Sequence, residues 1–201
     1  TGLQPLTNGK IFLHEKEITH LSVKRMRDSG IGVIPEDRLR EGLVEDFDIQ
    51  ENLFLGLQRN KPFSDGTMIN WNAVHENADK LVKKFDIRTP SLDLKARLLS
   101  GGNQQKLLLG RALIAQSLIW VLDEPTRGID IAAKVDIYEL IGRMVEKGKA
   151  ILMISSELPE LFGIADRILV MRRGRLVGNL VTSQTTQEAV MHLAAVDQER
   201  K

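Results

Sequence analysis

Short, unbroken aliphatic runs alternate with segments of helical length, and this alternation constrains the fold of the chain more than any other feature. Residues 31–34, 118–122 and 150–154 are such runs, and glycine, proline or charged residues flank them. Strands that are apolar on both sides are typical of parallel sheets covered by helices. The sequence therefore predicts an α/β fold with a mainly parallel sheet flanked by helices.

The stretch 45–99 differs in character and predicts a helical insert. Apolar residues recur there at helical spacing: Val74, Ala78, Leu81, Val82 and Phe85. This spacing predicts an amphipathic helix over 72–85 with Asn72 as its N-cap. The chain is then expected to divide into four parts: α/β core at 1–44, helical insert at 45–99, α/β core at 100–181 and a polar, weakly helical tail at 182–201.

The second core part has its own helix signals. A helix is expected from Asn103 to about Ala115, and Asp130 is a candidate N-cap for the next helix. The apolar face of that next helix is predicted to consist of Ile137, Leu140, Ile141, Met144 and Val145. Gly148 stands where a left-handed C-cap residue belongs. Residues 168–181 read as a β-hairpin whose basic tip is a solvated turn.

Composition excludes several kinds of site. The 201 residues contain 28 Lys and Arg against 27 Asp and Glu, so the formal net charge is +1. This balance argues against a strongly basic nucleic-acid-binding protein. There is no cysteine, so disulfides, zinc–thiolate sites and thiol catalysis are excluded. A membrane-spanning helix needs about 18–20 apolar residues. The longest aliphatic runs have only the length of strands, so the sequence predicts no membrane-spanning helix.

A glycine pair after a serine marks one candidate anion site. Ser100, Gly101 and Gly102 precede a predicted helix. Glycines let the backbone come close to a ligand, and the free N–H groups at a helix start attract an anion. Taken alone, the same residues also fit a serine cap and a simple turn.

Two adjacent carboxylates mark a second candidate site. Asp123 and Glu124 follow the aliphatic run 118–122 and precede Pro125. Open α/β sheets bind ligands at the carboxyl ends of their strands. One acid could hold Mg²⁺ and the other could polarise an attacking water. A strand that ends in an acidic turn is the plain structural alternative.

Together, the two stretches resemble the ATP-binding cassette (ABC) ATPase family. Ser100, in the signature-like stretch 99–106, precedes Asp123 by 23 residues. The resemblance implies a P-loop NTPase-like fold that uses ATP and Mg²⁺. It implies that the signature contacts the γ-phosphate of ATP held by an opposing cassette, through Ser100, Gly101, Gly102 and Gln104. It also implies Asp123 as the Mg²⁺ ligand, Glu124 as the catalytic carboxylate and Asp130 as a contact between cassettes.

Three departures from the family pattern narrow the resemblance. Glu36 replaces the usual glutamine near Mg²⁺, Ser156 replaces the usual switch histidine, and Asn103 precedes Gln104. This combination resembles the second cassette of the fused double-cassette ATPases of simple-sugar importers, with nucleoside relatives. Serine can bond to phosphate but cannot take up a proton near pH 7 as histidine can.

The resemblance also implies partners and a location. The expected partners are a second ABC cassette (fused or dimeric), transmembrane permease subunits and, through the permease, an external substrate-binding protein. No nucleic acid is expected as a partner. The expected location is peripheral, at the cytoplasmic face of the inner membrane.

No P-loop motif occurs in the sequence. Gly-Lys stands only at 9–10 and 148–149, and neither pair fits G-x-x-x-x-G-K-[ST]. The opening stretch 1–5 resembles the region just past the family's P-loop helix, so we expect that the P-loop part of the core is missing. The isolated chain is then expected to be inactive.

Two other functions remain open. One is a catalytically weak half-cassette that supplies its signature in trans to a partner's ATP. The other is an ABC protein that acts on nucleic acid or ribosomes, which the neutral charge balance disfavours. The charged segment 37–41 is interpreted as a solvated loop, and Trp71 and Trp120 as packing residues.

Overall fold

The computed structural model describes residues 4–114 and 117–195, which form two compact units that divide between Ile154 and Ser155. The strands are β1 (Phe12–Leu13), β2 (Lys16–Glu17), β3 (Ile31–Ile34), β4 (Ile119–Asp123), β5 (Ala150–Ile154), β6 (Arg167–Arg172) and β7 (Arg175–Val181). The α-helices are α1 (Val23–Asp28), α2 (Ile49–Phe54), α3 (Trp71–Lys84), α4 (Gly101–Ile114), α5 (Ile131–Glu146), α6 (Leu158–Ile164) and α7 (Gln187–Ala195). The predicted domain boundaries at 44/45, 99/100 and 181/182 stay predictions.

The central sheet of the first unit is parallel, as the aliphatic runs predict. Its strand order is β3-β4-β5, and Ile34 lies opposite Leu122, which lies opposite Met153. The ring of Trp120 packs directly against Gly32. A Cβ at position 32 would lie 2.4 Å from the ring, so glycine is required there. This register brings the carboxyl ends of β3 and β4 to one edge of the sheet.

The two faces of the sheet differ in cover. Ile34, Trp120 and Leu122 are at most 2% exposed. At the alternating positions, Leu152 and Ile154 are 48% and 47% exposed. Since successive strand residues point to opposite faces, the described residues leave part of the second face open, and this differs from the full cover expected of such a sheet.

The amphipathic helix predicted within the insert forms, with one shift at its start. Helix α3 begins at Trp71, and the N-cap is Asn70, whose Oδ1 accepts a hydrogen bond of 3.1 Å from Ala73 N. The prediction of Asn72 as the cap was wrong, because the polar residue two positions earlier makes the capping bond. Beneath α3 lies a small apolar cluster: Phe54, Leu57, Phe63 and Val74.

The structure confirms most of the predictions for helix α5. Asp130 is its N-cap and accepts from Ala133 N at 3.0 Å. Gly148 follows the helix with a φ of 75°, as a left-handed C-cap position requires. The predicted apolar face is buried except for Val145, which is 49% exposed. The predicted end of α4 at Ala115 lies outside the described residues.

The second unit contains the predicted hairpin. Strands β6 and β7 pair antiparallel, and Arg173 and Gly174 turn the chain with φ values of 46° and 76°. Ile168 and Val170 pack with Val190 of α7 to form its core. Within the described residues of both units, no helix has the length and apolarity to span a membrane.

One buried amide fixes the loop that leads into the helical insert. Asn52 of α2 is 0% exposed. Its Oδ1 accepts from Val44 N at 2.9 Å, and its Nδ2 donates to Val44 O at 3.0 Å and Asp48 O at 3.0 Å. The side chain therefore replaces backbone hydrogen bonds that the irregular segment 44–48 could not otherwise make.

We predict that Asn52→Ala lowers the free energy of unfolding by about 2–4 kcal/mol, because it leaves several loop groups without partners. Denaturant unfolding of the chain measures this value. The matched control is Asn60→Ala at an exposed loop position, which should change stability by less than about 0.5 kcal/mol. Equal effects of the two substitutions would contradict the assignment.

Candidate functional site

Ser100 lies at the start of α4 and is exposed. Its Oγ accepts hydrogen bonds from Asn103 Nδ2 at 3.0 Å and from Asn103 N at 3.4 Å. Its carbonyl oxygen accepts from Gln104 N at 2.9 Å. Ser100 thus acts as the N-cap of α4, and the predicted glycine-opened helix start is confirmed as local structure.

The glycines let the start of α4 lie against the start of α5. A Cβ on Gly102 would lie 2.6 Å from Ala133 Cβ, and a Cβ on Gly101 would lie 2.9 Å from Arg38 Nη2. Gly101 also lies close to Gly128, whose carbonyl oxygen would be 3.5 Å from that Cβ. These contacts bring the signature stretch beside the loop that follows β4.

Arg38 ties three segments of the site together. Its Nε donates to Gln104 Oε1 at 3.2 Å, and its Nη1 donates to the carbonyl oxygen of Arg127 at 3.1 Å. Gln104 is 6% exposed, and its Nε2 donates to Ala96 O at 3.1 Å. The side chain of Gln104 therefore faces the protein, which favours a positioning role for this predicted nucleotide contact.

The loop containing Arg38 is ordered by its own sequence. Asp37 accepts from Leu39 N at 3.2 Å and Arg40 N at 3.0 Å, and it caps a short π-helical turn at Arg38–Gly42. Arg111 of α4 donates to Gly42 O. Burial, together with the nearby charge of Arg27, lowers the pKa of Arg111 from its ordinary value. Asp37, Arg40 and Glu41 are exposed, as the predicted solvated loop requires, whereas Arg38 is half-buried.

Asp123 and Glu124 occupy the carboxyl end of β4, and both are half-buried. Glu124 has a φ of 45°, a conformation that costs a non-glycine residue of the order of 1–3 kcal/mol. Its N–H donates to Ile154 O at 2.9 Å, and its carbonyl oxygen accepts from Arg127 N at 3.1 Å. Backbone bonds on both sides thus hold this predicted catalytic carboxylate in a strained turn.

Glu36 follows β3 at the same edge of the sheet and forms an ion pair with Arg127. In the described parts of the chain, no group of three or more His, Cys, Asp and Glu residues could hold a metal ion. Mg²⁺ bound with a nucleotide needs only one or two carboxylates, because phosphates and water complete its shell. The half-buried acid at the end of β4, Asp123, fits that requirement.

Lys106 anchors α4 to two neighbouring segments. Its side chain is 4% exposed, and its Nζ lies 2.7 Å from Asp136 Oδ2 of α5 and 3.4 Å from Asp86 Oδ2 after α3. It also donates to the carbonyl oxygen of Asp86 at 3.1 Å. The buried ammonium group of Lys106 thus joins α4 to α5 and to the segment after α3 through three oxygen atoms.

The remaining predicted residue, Ser156, belongs to the second unit. It is exposed and lies between β5 and α6. Its neighbour Ser155 donates to Glu160 and accepts from Glu157 N at 3.1 Å. The assignment of Ser156 to the switch position stays a prediction from the sequence.

Sequence reasoning gave neither Arg38 nor Arg127 a role in the site. The two hydrogen bonds of Arg38 span 66 and 89 residues of sequence. The segment around Arg38 was interpreted as a solvated loop, and in the segment around Arg127 only Asp130 was considered, so no nearby pattern indicates the partners of the two arginines. The sequence offered one indirect signal. Gln104 occupies a helical position that is buried if α4 packs on the sheet, and a buried polar side chain needs a hydrogen-bond partner.

Comparisons with known proteins identify relatives of the chain. The family model for ABC transporters matches residues 1–127. The chain is 41% identical over 198 residues to the ribose import ATP-binding protein RbsA 1 of Rubrobacter xylanophilus, covering 98% of this chain and 40% of that protein. It is 43% identical over 193 residues to the xylose import ATP-binding protein XylG of Moorella thermoacetica, covering 96% and 38%.

A third relative and a solved structure extend the comparison. The arabinose import ATP-binding protein AraG 1 of Burkholderia lata is 46% identical over 178 residues, covering 87% of this chain and 35% of that protein. The chain thus spans 40% or less of the length of these three curated relatives. The dimeric ATP-binding cassette MJ0796, solved in a post-hydrolysis state with ADP and Pi, matches with a TM-score of 0.74 at 21% identity, covering 90% of this chain and 76% of that one.

We predict that Gly102→Ala destabilises the chain by about 1–3 kcal/mol, because the new methyl group overlaps Ala133 and pushes α4 from α5. Denaturant unfolding measures the change. Adding Ala133→Gly removes the opposing methyl group and should recover most of the loss, although glycine in a helix itself costs roughly 0.5–1 kcal/mol.

The matched control is Gly101→Ala, whose methyl group would meet the movable end of Arg38. It should cost less than Gly102→Ala and gain nothing from Ala133→Gly. Rescue of both alanine variants, or of neither, would contradict the assigned contact.

Proposed function

The chain belongs to the ABC transporter family, and from this premise we propose that it forms part of an ATP-hydrolysing cassette that drives the import of simple sugars or nucleosides. The observation that carries the proposal is the position of the start of α4, where Gly102 contacts Ala133 of α5 and Gly101 lies close to Gly128 in the loop after β4. It supports the proposal because it holds the start of α4 beside the loop 124–130, which begins at Glu124.

The start of α4 would act on ATP held by an opposing cassette. Ser100 offers a hydroxyl, and the first N–H groups of α4 at Gly101 and Gly102 lack partners within the helix. Together with the positive end of the helix dipole, these groups suit the terminal phosphate of a nucleotide. Asp130, exposed at the start of α5 beside Gly102, would contact the opposing cassette.

The end of β4 would supply the carboxylates for hydrolysis. Glu124 would orient and polarise the attacking water, and its backbone hydrogen bonds with Ile154 and Arg127 hold its main chain at the end of β4. Asp123 would hold Mg²⁺, which neutralises phosphate charge when it is bound. Glu36 would stand near the same ion, and its pairing with Arg127 keeps it at this edge of the sheet.

The proposed partners follow from the kind of relatives matched. The chain would work with a second cassette, fused or dimeric, and with transmembrane permease subunits. An external substrate-binding protein would act through the permease. The proposed location is peripheral, at the cytoplasmic face of the inner membrane, and nucleic acid is not a proposed partner.

We predict that Glu124→Gln lowers ATP turnover by about 10²–10⁴-fold and leaves Mg-ATP affinity within about twofold, because the amide cannot take up a proton from water. The test uses a protein of the relatives' length that carries these residues, assembled with its membrane subunits. The control Glu76→Gln removes a charge from an exposed site on α3 and should leave turnover unchanged.

The alternative, a weak half-cassette that only supplies its signature in trans, is favoured by serine at position 156. It predicts a different pattern in the same assay: Ser100→Ala lowers turnover and Glu124→Gln does not. That outcome would remove Glu124 from its proposed role.

We further predict that the 201-residue chain alone neither binds Mg-ATP with micromolar affinity nor hydrolyses it. It contains no G-x-x-x-x-G-K-[ST] segment to hold the β- and γ-phosphates. Isothermal titration of the purified chain with Mg-ATP measures the affinity. A micromolar dissociation constant would reject this prediction.

A further inference from the structure

Asn103 connects the end of the helical insert to Ser100. Its Oδ1 accepts a hydrogen bond of 2.8 Å from Arg88 N, and its Nδ2 donates to Ser100 Oγ at 3.0 Å. Arg88 lies just past α3, 15 residues before Asn103. One amide side chain therefore joins a loop of the insert to the exposed hydroxyl at the start of α4.

The chemistry of Arg88 N sets the orientation of this amide. A backbone N–H group can only donate, so it must face the oxygen of the Asn103 side chain. The NH₂ group then faces Ser100 and can only donate to it. The direction of both hydrogen bonds follows from the first one.

The hydroxyl of Ser100 is polarised as a result. Its oxygen accepts from Asn103 Nδ2 and from Asn103 N, and a serine hydroxyl has two acceptor positions and one proton. With both acceptor positions used, the proton remains to be donated outward. An anion is the ligand that a hydroxyl held in this way suits.

We propose that Asn103 is a positioning residue that holds the Ser100 hydroxyl as a donor toward the terminal phosphate of the opposing nucleotide. The inference rests on the proposed function and adds to it the group that orients the serine. It concerns the residue at which this chain carries asparagine between Gly102 and Gln104.

The loop that orients Asn103 is itself fixed. Asp86 has a φ of 47°, and its carbonyl oxygen accepts from Lys106 Nζ at 3.1 Å. Lys106 lies one helical turn after Asn103 on α4 and is also paired with Asp136 at 2.7 Å. Lys106 of α4 thus holds the segment 86–88 at Asp86, independently of Asn103, so Arg88 N keeps its direction toward Asn103.

The decisive variant is Asn103→Asp, which keeps the shape of the side chain and the acceptor for Arg88 N. Its carboxylate cannot donate to Ser100, and instead it accepts the serine proton. We expect ATP turnover to fall about 10²-fold, the typical loss when one transition-state donor is removed. Mg-ATP affinity and thermal stability should stay close to those of the parent protein. The assay again uses the protein of the relatives' length, assembled with its membrane subunits.

A second variant separates polarity from packing. Asn103→Ala frees the Ser100 hydroxyl without capturing its proton, so the loss should be only about tenfold. A packing role would give the opposite order, because alanine removes more contacts than the isosteric aspartate. If Asn103→Ala lowers turnover more than Asn103→Asp does, the proposal is overturned.

A double substitution separates orientation from charge. In the Ser100→Ala background the hydroxyl is gone, so adding Asn103→Asp should change turnover by less than about threefold. If a new negative charge simply repelled the phosphate, the loss would be the same in both backgrounds, and the proposal would fall. Asn72→Asp, which adds the same charge at an exposed position on α3, is the control and should have no effect.

The outcomes distinguish this inference from the function on which it rests. If Ser100→Ala leaves turnover unchanged, the proposed function of the signature serine fails. If Ser100→Ala lowers turnover and Asn103→Asp does not, only the positioning role of Asn103 is overturned.

Discussion

The start of α4 can lie against the start of α5 only because residue 102 has no side chain. A methyl group there would lie 2.6 Å from Ala133 Cβ, which is closer than non-bonded carbon atoms approach one another in proteins. The other contacts of the site depend on this closeness. Arg38 reaches Gln104 of α4 on one side and the carbonyl oxygen of Arg127 on the other, and the bond to Gln104 would be lost if α4 moved outward.

The loop 124–130 begins with a strained backbone conformation and is held in place by contacts with other segments. Glu124 begins it in a left-handed conformation, and Asp130 ends it as the N-cap of α5. Between them, Arg127 pairs with Glu36 and accepts a hydrogen bond from Arg38 through its carbonyl oxygen. A strained residue persists only where its surroundings fix it, and here the restraint comes from segments far apart in sequence.

Local patterns in the sequence predicted the framework well. The strands at 31–34 and 150–154, the cap at Asp130 and the left-handed Gly148 agree with the structure, because each depends on neighbouring residues alone. The cap at Asn72 was wrong by two positions, and Val145 proved half-exposed, since both depend on how a helix is rotated and extended by its contacts.

The parts of the site that sequence reasoning missed are those with distant partners. Arg38 and Gln104 meet across 66 residues, and no local spacing indicates such a pair. Asn103 was visible in the sequence as a departure from the family pattern. Its link to Arg88 N became apparent only in the structure, because a backbone donor leaves no mark on the sequence.

The two tryptophans give the first unit separate optical reporters. Trp120, in the strand that ends at the acidic pair, is 2% exposed, and Trp71, at the start of α3 in the helical insert, is 51% exposed. An apolar environment shifts indole emission to shorter wavelength, and dissolved quenchers reach only an accessible ring. The two rings therefore report on different parts of the first unit, the sheet and the insert.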